Sequence, residues 1–394
     1  MIFICEPQCI GFEHAEVNAA LLAVLQGAFP QEEFHFFAEL EHMERVRSSL
    51  ERHRALNCRI FFHEIDVPSR NKSSARRFPR ELAIYRYLFQ RARECAVKKV
   101  LFASITGSGL AAIKLLLPSI KGISCVVVLH NSLISVSRRP PLWPAEMPFW
   151  LKLWMVTRNT GQVQYVVLSP VVQEDLIRLL PSVRAQTHSI HMPCFFSDRT
   201  NLTPLQGPTI RFGAFGVGRT SKGTQCFFKL AEDVQRTKTA YRAEFIVVGY
   251  LMDQSLVRAH NDSVAVPFQQ NGPADRDMYD IYAQQIHYAV YLYDPATYRL
   301  TASAALYDAF YYVKPIIALK HPLFEYYFEK MGDIGFLCES YRELRTAVEH
   351  ILTVQPSDQY ALQQQNILRG RRQFSISALS ELVSDIWPIK AGDR

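Results

Sequence analysis

No apolar run in this 394-residue chain reaches the ~18 residues a bilayer-spanning helix needs, so no such helix is expected. The opening MIFICEPQC lacks the basic region and small-residue cleavage site of a secretory signal, and a cytoplasmic protein is expected. The eight cysteines lack the spacing of a zinc ribbon or a disulfide framework. Most lie inside apolar segments, as at Cys58, Cys125, Cys194 and Cys226, and the close pair Cys5 and Cys9 has no second pair, so buried thiols are expected. Internal repeats and low-complexity tracts are absent. Charged residues make up only 21% of the chain against 48% hydrophobic, which excludes a disordered, self-repelling polymer.

What is present is alternation. Apolar strand-like runs are expected at 1–5, 33–38, 58–65, 98–104, 123–129, 164–169 and 187–192, with helical patterns between them such as His14–Phe29 and Arg80–Val97. Continuously apolar strands separated by helices point to parallel sheets covered on both faces, an α/β class. Periodicity breaks at Cys194–Thr209, and a second series follows near 210–216, 244–249, 264–268, 287–293, 315–319 and 334–338. A chain of this length holds about two cores. The expected division is 1–195, then 208–356, then two helices within 357–394.

The segment YLYDPATYRLTASAALYDAFYYVKPIIAL, Tyr291–Leu319, reads as strand, loop, helix from about Thr301, and strand. Small residues at a helix start leave backbone N–H groups open to an anion. Asp308 lies one turn on, within reach of a ribose beside that anion. Upstream, FGAFGVGRTSKG (Phe212–Gly223) sets Arg219 and Lys222 in a loop between a strand and a helix, a fork of donors and a point charge suited to two phosphates.

These two segments, with AEFIVVGYL (Ala243–Leu251) and Val266–Tyr282 between them, resemble the donor-binding half of GT-B glycosyltransferases, particularly family 4. The resemblance covers about 209–352 and is looser over the first 200 residues, where it rests on VVVLHN and YVVLSPVVQEDL. It implies two doubly wound Rossmann-like domains facing across a cleft, acceptor half first, with the C-terminal helices crossing back. The implied activity is metal-independent transfer of a sugar from a UDP- or GDP-sugar to a glycan or lipid-linked acceptor, without a further cofactor, in surface polysaccharide biosynthesis. The implied donor site comprises Gly216, Arg219, Lys222, Gly249, Tyr298, Arg299, Thr301, Ser303, Ala304 and Asp308. Two departures stand out. Arg219 and Lys222 are three positions apart, closer than in the family, and the earlier of the family's two glutamates falls on Leu300.

In the first half, the loop opening on Gly11 carries Glu13 and His14 into a helix, and His130 ends the strand VVVLHN. Glu13, His14 and His130 are the candidate catalytic groups, a base being needed only for an inverting reaction. Acidic residues also favour a helix's first turn for electrostatic reasons alone. Gly11, Ser104, Thr106 and Ser108 are the candidate acceptor contacts. Residues 1–200 hold 24 Lys and Arg against 17 Asp and Glu, while the rest hold 20 of each. That asymmetry suits anionic partners, and equally a solvated basic face. Ser69–Arg80 has five basic residues and no acid, and Ser137–Trp154 has three of the four tryptophans. Arg76, Arg77, Arg138, Arg139, Trp143 and Trp150 are thus the candidates for contact with an anionic membrane surface. Nucleic acid is not an expected partner, since no binding motif accompanies the charge. A sugar-nucleotide epimerase and a non-catalytic glycan- or partner-binding protein remain the alternative functions.

Overall fold

The computed structural model describes residues 1–69, 71–157, 161–196, 202–269, 276–294 and 298–387. The chain forms two compact units, one of Met1–Phe195, Leu300–Ala302 and the last helix from Phe374, the other of Phe196–Arg299 and Ser303–Gln373. Parts of the 194–209 break, of Val266–Tyr282, of the loop after Asp294 and of the tail lie outside the described residues.

The first unit holds strands β1 (Ile2–Cys5), β2 (Phe34–Ala38), β3 (Ile60–Glu64), β4 (Lys99–Phe102), β5 (Ser124–Leu129), β6 (Val163–Val167) and β7 (Thr187–Ser189). The second holds β8 (Thr209–Phe215), β9 (Arg242–Val248), β10 (Val264–Ala265), β11 (Tyr288–Tyr291), β12 (Ile316–Leu319) and β13 (Gly335–Cys338). The strand orders are β3-β2-β1-β4-β5-β6-β7 and β10-β9-β8-β11-β12-β13, with every pairing parallel. Both orders reverse beside the first strand of the series, the topological switch point where ligands of open α/β sheets collect. Strands β1, β4 and β11 are buried at every residue, and apart from Lys99 at the start of β4 they read as unbroken apolar runs.

Two helices depart from expectation. The one expected from Arg80 begins at Ser74 and runs through Pro79 to Glu94. Glu146, 72 residues away, accepts from the backbone N–H groups of Ser74 and Ala75 at 3.1 Å, a cap that local sequence cannot announce. Of the two C-terminal helices, Ser357–Gly370 belongs to the second unit: Tyr360 donates to His287 O at 3.1 Å, and Arg371 just beyond it to Phe310 O at 3.1 Å. Only Ile376–Ile386 joins the first unit, packed on the helix Ala15–Ala28, where Ser380 donates to Val24 O at 2.9 Å and Ser384 to Ala28 O at 3.2 Å.

Candidate functional site

In the second unit, β8 runs into a loop whose backbone is fully specified. Gly223, ahead of the helix Thr224–Gln235, has φ 70°, and a Cβ there would sit 2.0 Å from Leu292 O. Only glycine fits such a position. Gly249 serves the same loop, since a Cβ on it would lie 2.0 Å from Gly216 O. Thr224 Oγ1 accepts from Arg219 N and donates to Arg219 O, both at 3.0 Å. Asp253 takes the Thr220 amide at 2.7 Å and its hydroxyl at 2.9 Å, and that amide bond holds the carboxyl below the usual range.

This clamping leaves the basic side chains for other work. Lys222 Nζ lies 3.6 Å from where a Cβ on Gly216 would stand, and Ala305 Cβ lies 3.8 Å from the same point. The ammonium thus hangs over the end of β8, beside the start of the helix Ala304–Tyr311. Burial, and then the Arg219 charge, lower its pKa to about 8, with Asp308 pulling the other way. It has no hydrogen-bond acceptor among the described residues. A pocket at these strand ends is lined by Gly216, Gly218, Lys222, Thr224 and Tyr293, among others.

The helix expected from Thr301 starts at Ala304, because Ser303 is its cap. Ser303 Oγ accepts from Leu306 N at 3.2 Å and shares a 2.7 Å hydrogen bond with Tyr293 Oη. The Ser303 side chain is therefore consumed and buried, while backbone N–H groups of the first turn lack intrahelical acceptors. Tyr298 packs 4.1 Å from Tyr293, and its phenol is raised by burial while the Arg219 charge opposes the shift. Asp308 Oδ2 accepts from Tyr279 Oη at 2.8 Å. Tyr279 sits beside Arg276, whose guanidinium pairs with Asp280 at 2.9 Å and lies 5.4 Å from the Tyr279 ring. The structure brings together Gly216, Arg219, Lys222, Tyr298, Ser303, Ala304 and Asp308. Arg299 is exposed, and Thr301 belongs by its contacts to the first unit. Leu300, at the departed glutamate position, is buried in apolar surroundings. Tyr279, Tyr293, Thr224 and Asp253 escaped the sequence reading, because their partners lie between 5 and 33 residues away.

The first unit treats its corresponding loop differently. Gly11, at φ 54°, donates to Glu39 Oε2 at 3.1 Å, and its carbonyl accepts from His42 Nδ1 at 3.0 Å. His42 Nε2 in turn accepts from Asn18 Nδ2 at 2.9 Å, a pairing that requires the neutral ring. Beneath lies Glu6, fully buried, which accepts from Gln8 N at 3.0 Å, Cys9 N at 2.9 Å, Asn18 Nδ2 at 3.0 Å and Ser104 Oγ. His14, which follows Glu13 in sequence, meets His130 with ring centroids 4.0 Å apart. Burial, then His42, lowers His14 to about 4, so it is neutral and a weak proton acceptor near neutrality. Thr106 caps the helix Gly107–Leu116, accepting from Gly109 N at 2.8 Å, and bonds Glu81 at 3.2 Å and Ser108 at 3.1 Å. The hydroxyls of Ser104, Thr106 and Ser108 thus bond within the unit. Arg77, expected at a membrane surface, is turned inward: it is buried and pairs with Glu81 at 3.6 Å. Trp150 is half-buried, its Nε1 bonded to Ser135 O at 3.0 Å.

Among the described residues no group of three or more His, Cys, Asp or Glu is set to hold a metal, and no helix is long and apolar enough to cross a membrane. All eight cysteines are free; Cys58 and Cys226, expected to be buried, are exposed, Cys58 in the turn before β3 and Cys226 on the outer face of the helix Thr224–Gln235.

No family model matches the chain, and no curated protein matches it by sequence. Solved structures do. HepE from Anabaena, in complex with UDP and glucose, superposes with a TM-score of 0.66 at 14% identity, over 98% of this chain and 99% of that one. WaaG, a glycosyltransferase involved in lipopolysaccharide biosynthesis, gives 0.66 at 11% identity over 99% and 100%. A TarM mutant from S. aureus, in complex with Fondaparinux, alpha-GlcNAc-glycerol and UDP, gives 0.63 at 8% identity over 98% and 99%. At such identities the likeness speaks for the fold, and that fold is GT-B.

Proposed function

We propose that this chain is a glycosyltransferase that moves a sugar from a nucleotide-sugar donor to a glycan or lipid-linked acceptor in surface polysaccharide biosynthesis. The observation that carries the reading is Lys222: a half-buried ammonium without an acceptor among the described residues, hung over the strand ends beside a helix start. A desolvated cation in that position calls for an anion. Breaking the anomeric C–O bond develops negative charge on the departing diphosphate, and a preorganised cation with helix N–H groups stabilises that charge more than the ground state. Arg219 adds a second cation. Asp308, fixed by Tyr279, is the acceptor for the ribose hydroxyls. The solved neighbours hold UDP and UDP-glucose, which favours UDP over GDP as the nucleotide.

Glu13, beside the His14–His130 pair, is the candidate for proton transfer at the acceptor oxygen. The leaving diphosphate can take the proton where the configuration is retained. Because Lys222 and Arg219 supply the charge, activity survives EDTA. The enzyme works in the cytoplasm, peripheral to the inner face of the membrane.

One observation favours a second reading, a non-catalytic nucleotide- or glycan-binding protein: Leu300 brings no acid to the donor loop. The test is incubation with a panel of UDP- and GDP-sugars. Transfer or slow hydrolysis supports the transferase, epimer exchange supports an epimerase, and nucleotide binding without turnover supports the binder.

A further inference from the structure

The loop after Arg139 carries the two most exposed large apolar side chains of the described chain. Leu142 is 96% and Trp143 77% exposed, with Met147 exposed behind them. The loop is held at its base. Trp150 Nε1 donates to Ser135 O at 3.0 Å, Phe149 packs on Phe78 at 4.9 Å, and Glu146 accepts from Ser74 N and Ala75 N at 3.1 Å. A tethered base holds the Leu142–Trp143 tip out in water, where apolar side chains gain nothing in a lone protein. The same tethers set the tip beside the start of the helix Ser74–Glu94, where Lys72 just ahead of the helix and Arg76 and Arg80 on it are exposed, as are Arg138 and Arg139 leading into the loop.

We propose that this loop is a docking element for an anionic lipid surface. Leu142 and Trp143 enter the headgroup region, and the five exposed basic side chains bind acidic headgroups around them. The chemistry favours lipid over protein. Two apolar residues flanked by exposed basic side chains, with the loop's own carboxylate, Glu146, bonded to backbone amides, are an interfacial anchor, whereas a stable protein interface buries about 800 Å² on each side. The residues differ from those read in sequence, since Arg77 and Trp150 are engaged inside the unit while Leu142 joins the tip. This deepens the peripheral location proposed above by naming the surface that makes it.

The test uses vesicles and no turnover, so its failure leaves the transferase reading standing and an inert enzyme leaves the docking proposal standing. The wild-type chain should sediment with vesicles of equal parts phosphatidylcholine and phosphatidylglycerol, and only weakly with phosphatidylcholine alone. Arg138→Gln with Arg139→Gln should weaken partition by about fivefold per charge removed. Leu142→Ser with Trp143→Ser should abolish binding and the accompanying blue shift of tryptophan emission, with thermal unfolding unchanged, because both side chains are exposed. Equal sedimentation with both vesicle types, or full binding by the Leu142→Ser, Trp143→Ser variant, overturns the proposal. So does self-association of the wild type without vesicle binding, which would make a second copy the occupant.

Discussion

The loops that follow β1 and β8 hold equivalent places in their sheets, yet they spend their polar groups in opposite ways. After β1, a buried carboxylate sits at the centre. Glu6 has four donors, and Glu39 and His42 hold the two backbone groups of Gly11. After β8, the backbone is clamped by Thr224 and Asp253, and the charge left over is a cation with no acceptor among the described residues. In the first loop the Glu6 and Gly11 groups are closed by the fold itself, while Gln8 Oε1 is buried without a hydrogen-bond partner among the described residues. In the second, the backbone and the threonine hydroxyls are satisfied, and the basic side chains are left for a ligand. Closed polar networks give rigidity, and a desolvated charge without a partner marks a site.

The sharpest way to break this contrast is to empty the first network. Glu6→Ala leaves Asn18, Ser104 and two backbone amides without their acceptor, and should cost roughly 2–4 kcal/mol of stability by chemical denaturation. A loss below about 0.5 kcal/mol would mean that the network is not a structural unit.

The opposite behaviour is expected of Lys222→Ala. Stability should hold or rise slightly, because a desolvated charge is removed, while UDP binding by calorimetry weakens by about 1.5–3 kcal/mol. Arg219→Ala should weaken UDP binding less, as its side chain is exposed. Unchanged affinity in both variants would remove the donor-site assignment.

A finer test uses pH. The pKa of Lys222 is lowered to about 8, so the free protein keeps the ammonium below that pH and loses it above. A diphosphate binds the charged form, so UDP affinity should fall as pH rises through about 8. Binding there should take up a proton, seen as a dependence of the calorimetric heat on the buffer's ionisation enthalpy. Lys222→Arg should abolish that dependence, since guanidinium does not titrate in this range.

The smallest effect is expected at Tyr279, which touches the site only through Asp308. Tyr279→Phe should weaken UDP binding by about 1 kcal/mol, and by nothing further in an Asp308→Ala background. Additive losses would show that Tyr279 acts by another route.

What the sequence determined by itself was the alternation of elements. The thirteen strands among the described residues all overlap runs expected from the sequence, most plainly where burial is complete, as in β1 and β11, and least plainly in β3, β7 and β9, which carry polar or exposed positions. The order strand, basic loop, helix and the later strand, loop, helix with Asp308 was legible too, being written in consecutive residues. Tertiary structure decided which polar groups remain for a ligand. Arg76 and Arg77 are neighbours in the chain, yet the helix turns one to water and the other onto Glu81. The hydroxyls of Ser104, Thr106 and Ser108 look free in sequence but bond within the unit, Ser104 to a carboxylate 98 residues away. Lys222 was legible as a candidate phosphate contact, but only the fold shows its ammonium set over the end of β8 without an acceptor among the described residues. A side chain's availability depends on partners brought from elsewhere in the chain, and local sequence carries no record of them.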